Sequence, residues 1–383
     1  MNALLKEHHN EWRQKVRKFA EEKIKPVIGE FDRKSIFPSH LIEQLGEETG
    51  VFGMYIPKQY GGLGTDTLSY IIAVEELARV DSSMAATLAA HNSLGMGPVL
   101  NFGTEEQKMQ WLPSWCTGKA LWAMGLTEIN AGSDAKAVET TADLKNGKWI
   151  INGSKLYITN AASNLSKGIT VAAKTGEKDG KLEFSAILLP YPTKGFERKV
   201  MTDKLVWRAA DNGELFFNNC EVPEEYLLGN RGDGLKIILK TIDAGRLSIA
   251  AMGVGLAQGA FEMAREYALT RQQFGKPIAH LQAIAFKLAD MAVKIENARN
   301  TLYNACWIKD QGMPYGTQSA MAKLYASEIA REVADEAVQI FGGAGLMESN
   351  PIARFYRDQR LLQIGEGTSE ILRLVISRSV LNE

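Results

Sequence analysis

Residues 278–311, between Pro277 and Gly312, contain neither glycine nor proline. Within that stretch Ile284, Leu288, Met291, Ile295, Ala298 and Leu302 recur at steps of three or four, one face of an α-helix. Most of the stability of so long a helix comes from packing its apolar stripe, which commits this part of the chain to a helical bundle. The next segment, TQSAMAKLYASEIAREVADEAVQIFGG, repeats the pattern through Met321, Leu324, Ile329, Val333 and Ile340 and stops at a glycine pair.

The rest of the chain divides by character, and we expect three domains: 1–121 helical, 122–230 β, and 231–383 a helical bundle. In the first, the N-terminal stretch carries Leu4, Leu5, Trp12, Val16 and Phe19 on one helical side. FPSHLIEQLGEETG runs from a Pro-Ser entry to Gly50, TDTLSYIIAVEELARV shows a further helical face, and TEEQKMQWLPSWCTG opens on a Thr cap. SMAATLAAHNSLGMGPVLNFG is nearly uncharged and predicts a helix buried among others. In the second, ADLKNGKWIINGSKLYITNA, GITVAAKT, KLEFSAILLP, DKLVW and GELFFNNCEVP are short β-branched and aromatic runs between polar turns, the pattern of an antiparallel sheet or barrel. The fold class is therefore α+β and mostly α, with a sheet lobe set between two helical zones that pack together. Ligands usually bind in clefts between such lobes.

Charge excludes some partners. The 383 residues carry 44 basic against 45 acidic side chains, so no broad field for nucleic acid or an anionic membrane is expected. Cys116, Cys220 and Cys306 are odd in number and far apart, which fits a reducing compartment and no disulfide framework. The five histidines show no ligand spacing. His8 and His9, adjacent on a helix, should point to different sides and read as solvated surface, and no metal is expected. The N-terminus lacks the apolar segment of a signal peptide, and its acids disfavour a transit peptide. No apolar run approaches the ~18 residues of a membrane span.

Several stretches can carry chemistry. GLTEINAGSDAKA (125–137) exposes backbone N–H groups at small residues and adds the hydroxyls of Thr127 and Ser133. It can cradle a phosphate or a planar heterocycle, and it can equally be a polar interdomain loop. Tyr157 and Thr159 of YITNA share a strand face, as a ring-lining pair or a packing pair. TRQQFGKPIAHLQ sets Arg271 at a helix end beside Phe274, which suits a pyrophosphate with an adenine or a plain helix corner. QIFGGAGL has more glycine than capping needs and suggests close approach of a ligand or another chain. Asp243 and Arg246 stand one turn apart, as an ion pair or as a grip on a polar ligand. In LLQIGEGTSE, Glu366 lies between Gly365 and Gly367 at the mouth of a helix. A solvated turn carboxylate would do nothing there. A partly buried one, beside backbone N–H donors and a helix start, is what abstraction of a proton alpha to a carbonyl requires.

Taken together these motifs resemble the acyl-CoA dehydrogenase family along essentially the whole chain. GLTEINAGSDAKA matches that family's first signature, and QIFGGAGLMESNPIARFYRD the second with one departure, Ser349, where an acid or Asn is usual. YITNA, RQQFGKPI and EGTSEI fall in the expected order, and AHNSLGMGPVLNFGTEEQK is most similar to the short-chain, butyryl-CoA type. The resemblance implies N-terminal helices, a central β-domain and a C-terminal four-helix bundle. It also implies FAD, a homotetramer (a dimer of dimers), α,β-dehydrogenation of an acyl-CoA thioester, and electron-transfer flavoprotein as acceptor. By motif, Met124, Leu126, Thr127, Gly132 and Ser133 would border the flavin, Ser133 also the substrate. Tyr157 and Thr159 would flank the ring. Arg271, Phe274, Gln282, Gln339, Gly342 and Gly343 would contact the FAD of a neighbouring subunit, and Thr368 and Glu370 would also contact FAD. Asp243, Arg246, Gly365 and Gly367 would serve the substrate. Glu366 matches the catalytic base, taking the alpha proton while hydride passes from the beta carbon to flavin N5.

The resemblance also implies a cytoplasmic protein if bacterial, or a mitochondrial-matrix one if this is a processed form. Many relatives carry a bulky residue, often Tyr, where this chain has Gly365. We therefore expect a wider acyl pocket near the thioester, suited to a branched or cyclic group. Two rival readings share the motifs: an acyl-CoA oxidase that uses O₂ directly, and a silent CoA- or flavin-binding subunit, against which the intact Glu366 weighs.

Overall fold

The computed structural model describes residues 4–382. Its N-terminal part is helical: α1 (Glu7–Phe19), α2 (Ile28–Lys34), α3 (Ser39–Thr49), α4 (Thr67–Ala78), α5 (Ser82–Ala89), α6 (Gly97–Phe102) and α7 (Glu105–Trp115). Local chemistry sets several of these ends. Gly50 ends α3 at φ 77°, a left-handed cap that a side chain would strain. Asp66 and Asp81 cap α4 and α5 by accepting from the N–H groups of Ser69 and Met84. Thr104 and Gln107 form a reciprocal capping box at α7. α4 departs from the one-sided face expected of it: every residue in it is buried, because other helices surround it. The uncharged stretch after α5 is buried as expected, but it widens into a π-type turn over Ala90–Met96.

The histidine expectation fails. His9 is 2% exposed, and the Nε2 atoms of His8 and His9 both meet Asp66 Oδ2, at 3.1 and 3.0 Å. The three groups are close enough to hold a cation. However, His9 Nδ1 accepts the Lys6 N–H, so Nε2 keeps its proton and donates it to Asp66. Burial alone would raise the Asp66 pKa, but hydrogen bonds from Ser69, His8 and His9 hold it far below the usual range. The cluster thus ties α1 to the start of α4. Two adjacent helical residues can share a partner when one long imidazole reaches round the helix, which sequence spacing does not reveal.

The middle of the chain forms β1 (Leu121–Gly125), β2 (Thr141–Lys145), β3 (Lys148–Thr159), β4 (Ser166–Lys178), β5 (Lys181–Pro190), β6 (Phe196–Val200), β7 (Asn212–Pro223) and β8 (Leu227–Leu228). They make one eight-stranded sheet in the order β6-β7-β3-β2-β4-β5-β8, with β1 branching from β4. It curls so that Trp149, Ile151, Ile169, Ile187, Phe196, Leu215 and Phe217 fill one interior. The sheet is mixed, not purely antiparallel, since β1 and β2 both pair β4 in parallel. DKLVW is not a strand. Asp358 Oδ1 takes the Trp207 N–H, and the Lys204 ammonium bonds the Ala210 carbonyl, so this apolar stretch is drawn away from the sheet.

The C-terminal part contains α8 (Gly234–Thr270), a small hairpin of β9 (Gln272–Gln273) and β10 (Lys276–Pro277), α9 (Gln282–Asp310), α10 (Gly316–Phe341), α11 (Pro351–Leu362) and α12 (Ser369–Leu381). At 37 residues α8 spans about 55 Å, and it packs against α4, α9, α10 and α11. One continuous core joins these helices to α1, α3, α4 and α5. Close approach depends on Gly255, where a Cβ would strike the Glu75 carbonyl of α4. The side chain of Glu75 is buried but not orphaned: Arg299 Nε and Tyr303 OH of α9 reach it at 2.9 and 2.6 Å.

Candidate active site

The turn between α11 and α12 departs from ordinary geometry. Glu366 has φ 55° and Gly367 φ 100°, so a residue with a side chain sits in the left-handed region beside a glycine that does too. Such strain costs roughly 1–3 kcal/mol and persists only where the surroundings enforce it. Here Gly365 N–H donates to the Leu361 carbonyl at 2.9 Å, Ser369 N–H to the Gln363 carbonyl at 3.1 Å, and Thr368 caps α12 through the Ile371 N–H. Lys323 of α10 donates from Nζ to the Gly367 carbonyl at 2.7 Å.

The turn drives the Glu366 side chain inward. Although the residue keeps partial exposure, Oε2 is sealed from water and has no hydrogen-bond partner. Its backbone N–H also lacks a partner among the described residues. Burial pushes the carboxyl pKa up to about 7, while the charges of Lys323 and Arg246 pull the other way. Room for the carboxylate exists because α8 has Gly245 there. A Cβ at that position would lie 2.7 Å from the Glu366 carboxyl carbon, closer still to Oε2, and 3.1 Å from Leu94 Cδ2. Tyr70 of α4 completes the surroundings, with its hydroxyl 2.9 Å from Ser248 Oγ and its pKa raised by burial, with a contribution from Glu366.

Next to Gly245 on α8, Arg246 donates from NH1 to Asp243 Oδ1, one turn back, at 2.8 Å, and its buried Nε has no partner. Asp243 lies against the start of α10, and Arg246 NH2 is 3.8 Å from where a Gly367 Cβ would stand. Asp243, Arg246, Gly365, Glu366 and Gly367 therefore form one cluster. Gly365 does not leave the expected void on its own side: a Cβ there would meet Leu361 Cδ2 at 3.0 Å, so Leu361 already fills that direction.

A second cluster lies in the sheet lobe. Met124 lies in the last part of β1, Leu126 and Thr127 follow it, and near the end of β3 the Leu156 N–H donates to the Thr127 carbonyl. Tyr157 has φ 63° at a bulge and is 63% exposed. Thr159 Oγ1 accepts from Asn212 at 3.0 Å. A buried ion pair anchors the loop: Lys155, fully buried, reaches Glu128 Oε1 at 2.7 Å and the Leu126 carbonyl at 3.1 Å. Glu128 also accepts from the N–H groups of Glu139 and Thr140 and the Thr140 hydroxyl. Gly132 and Ser133 ride exposed on that loop.

A third group is wholly exposed: Arg271, Phe274 (88%), Gln282, Gln339, Gly342 and Gly343. Tyr267 stacks on Phe341 with ring centroids 4.4 Å apart, which draws its two segments together. Nothing lies within 4 Å of where a Cβ would stand at Gly342 or Gly343. Thr368 is the α12 cap, and Glu370 sits exposed in its first turn.

Gly245, Lys323, Glu128 and Lys155 are the residues that sequence reasoning missed. Lys323 left a trace, a lone charge within the buried stripe of Ser319, Ala320, Ala326, Ser327 and Ala330. Gly245 left none, because what it clears room for lies far along the chain.

Three sequence families match in register. They are described as the N-terminal, middle and C-terminal domains of acyl-CoA dehydrogenase, over residues 6–119, 123–220 and 232–381. The chain belongs to the acyl-CoA dehydrogenase family. It is 43% identical over 382 residues, the full length of both chains, to a probable acyl-CoA dehydrogenase, YngJ, of Bacillus subtilis. It is 41% identical to the mitochondrial short-chain specific acyl-CoA dehydrogenase of Mus musculus, over 98% of this chain and 91% of that one. Among solved structures, butyryl-CoA dehydrogenase of Megasphaera elsdenii superposes with a TM-score of 0.96 at 40% identity, complete in both chains. A chain from work on the electron transferring flavoprotein of Acidaminococcus fermentans and flavin-based electron bifurcation superposes equally, 0.96 at 42% identity over both full lengths. This family membership makes the chain an enzyme of acyl-CoA dehydrogenation, with the Glu366 turn inside the C-terminal domain.

Proposed function

We propose that this enzyme desaturates a short-chain acyl-CoA between its alpha and beta carbons, with Glu366 as the base. The observation that carries the reading is the Glu366 carboxyl group, with Oε2 sealed and unpartnered and its pKa raised to about 7. A base poised at working pH is partly ionised and still strong enough to take a carbon-bound proton. The free Glu366 N–H is the donor for the thioester oxygen, where charge develops as the alpha proton leaves. Asp243 and Arg246 lie close enough to the base to orient the CoA portion, and Ser133 is a further substrate contact carried over from the family motif.

The residues fit FAD. Tyr157 and Phe274 are aromatic faces left open to solvent, and Gly342 and Gly343 leave room for a group to approach the backbone. Met124, Leu126, Thr127, Gly132, Ser133, Tyr157 and Thr159 would hold the ring end in one protomer, with Thr368 and Glu370 beside it. Arg271, Phe274, Gln282, Gln339, Gly342 and Gly343 would hold the adenine and pyrophosphate end from a neighbour. When bound, the flavin supplies the acceptor for the hydride leaving the beta carbon. Electron-transfer flavoprotein as the next acceptor is supported by the likeness to the chain solved in the Acidaminococcus work. A homotetramer is carried over from the family resemblance; an open groove of about 470 Å³ between α9, α10 and α12, where apolar Met321, Leu324, Ile329 and Ile376 alternate with charged Lys294, Glu328, Glu332 and Arg373, is a surface that such an assembly could cover.

The relatives' short-chain and butyryl specificities, and Leu361 beside Gly365, favour a straight short acyl group over a branched or cyclic one. Anaerobic bleaching of the flavin by a panel of acyl-CoAs tests this choice. Glu366→Gln tests the mechanism: it should keep FAD and lose several orders of magnitude in turnover, and near-normal rates would refute the assignment.

A further inference from the structure

Lys323 lies in the core face of α10 and is 0% exposed. A lysine there is costly to bury, and an alanine would suit both the helix and the packing. Its hydrogen bond among the described residues is the one from Nζ to the Gly367 carbonyl, one residue after the base. That carbonyl belongs to the turn in which Glu366 and Gly367 both take left-handed backbone conformations. We propose that Lys323 is the positioning residue of the Glu366 base: its buried ammonium holds the strained turn through Gly367 and is the free counter-charge that the carboxylate faces. The inference rests on the reading of Glu366 as the base.

The charges around this pair narrow the assignment. Arg246 on α8 also faces Glu366, but its NH1 is committed to Asp243. Tyr70 on α4 is neutral. Glu328 on α10 and Glu370 on α12 interact with Lys323, but Glu328 accepts from Ser369 Oγ and Glu370 is exposed in the first turn of α12. Among these groups Lys323 is therefore the cation with no carboxylate hydrogen bond, and Glu366 is the carboxylate with a sealed, unpaired oxygen. Desolvation brings the lysine down to about 8 while Glu366 rises to about 7. Each charge favours the charged form of the other and offsets part of the desolvation.

The test uses flavin-loaded wild type, Lys323→Gln, Lys323→Met and Lys323→Arg, with butyryl-CoA from pH 5.5 to 9. Glutamine removes the charge and keeps a donor, methionine removes both, and arginine keeps both. Loss of a nearby opposite charge should raise the acid limb of kcat/KM by about one pH unit in the glutamine and methionine variants. At pH 6 that is about a tenfold loss, recovered at pH 9 in the glutamine variant only. KM should stay within about threefold, and arginine should restore the limb. The same midpoint is read without turnover, from the protonated-carboxyl infrared band that Glu366→Gln removes. If the methionine variant fails to fold, the glutamine and arginine pair decides. A limb and an infrared midpoint unmoved in Lys323→Gln would overturn the proposal while leaving the base assignment intact. Normal turnover by Glu366→Gln would instead overturn the reading beneath it.

Discussion

Gly245→Ala should silence the enzyme without unfolding it. The added methyl would stand 2.7 Å from the Glu366 carboxyl carbon, where carbon contacts settle at about 3.5 Å. The carboxylate must therefore retreat by about 1 Å. α8 has little freedom to give way instead, because it is packed against α4, α9, α10 and α11. A misplacement of about 1 Å at the reacting centre costs on the order of 10²-fold in rate. In the other direction, alanine gains up to about 1 kcal/mol of helix propensity over glycine, which offsets part of the strain. The expected variant has normal flavin content and a melting temperature within a few degrees of wild type. Its rate of anaerobic flavin reduction by butyryl-CoA should be about 10²-fold lower. Glu366→Asp shortens the base by about one bond of 1.5 Å, so the double variant should lose less than the two single losses combined, by at least about tenfold. Flavin reduction by Gly245→Ala within threefold of wild type would show that the base does not need the space this glycine clears.

Two further outcomes follow from buried charges. Because Glu366 rises from 4.5 to about 7 on folding, the folded state keeps its proton over a range where the unfolded chain has lost it. Stability from this group is therefore lost between pH 4.5 and 7 and stays lost above, by up to about 3 kcal/mol. Glu366→Gln should be more stable than wild type at pH 8 and no more stable at pH 4.5, and equal denaturation midpoints at pH 8 would contradict the burial argument. Breaking the Lys155–Glu128 pair from the acid side leaves a buried ammonium with only the Leu126 carbonyl, so Glu128→Leu should cost about 3–5 kcal/mol and loosen flavin retention. Lys155→Met should cost less, since Glu128 keeps its three donors around Thr140. Thermal melts and flavin in the filtrate check both, and the reverse ranking would refute the account.

Features carried by neighbours in the chain are legible in the sequence. The stripe from Ile284 to Leu302 became α9, Gly50 stopped α3, and Thr104 capped α7. Glu366 stands out as a candidate in the sequence because its two glycines and the following helix are adjacent to it. The readings that failed depended on partners far away. DKLVW has strand composition, but the Asp358 carboxylate holds it as a loop. His9 has the spacing of a surface residue, but Asp66 and the Lys6 N–H bury it.

Sequence alone therefore determined the helical and β zones and the residue that could act as a base, since periodicity, caps and motifs are short-range facts. Tertiary structure alone decided the surroundings of that carboxylate. Its raised pKa comes from losing water, its room comes from Gly245, and the charge of Lys323 tempers the rise; these converge only when α8, α10 and the last turn pack together.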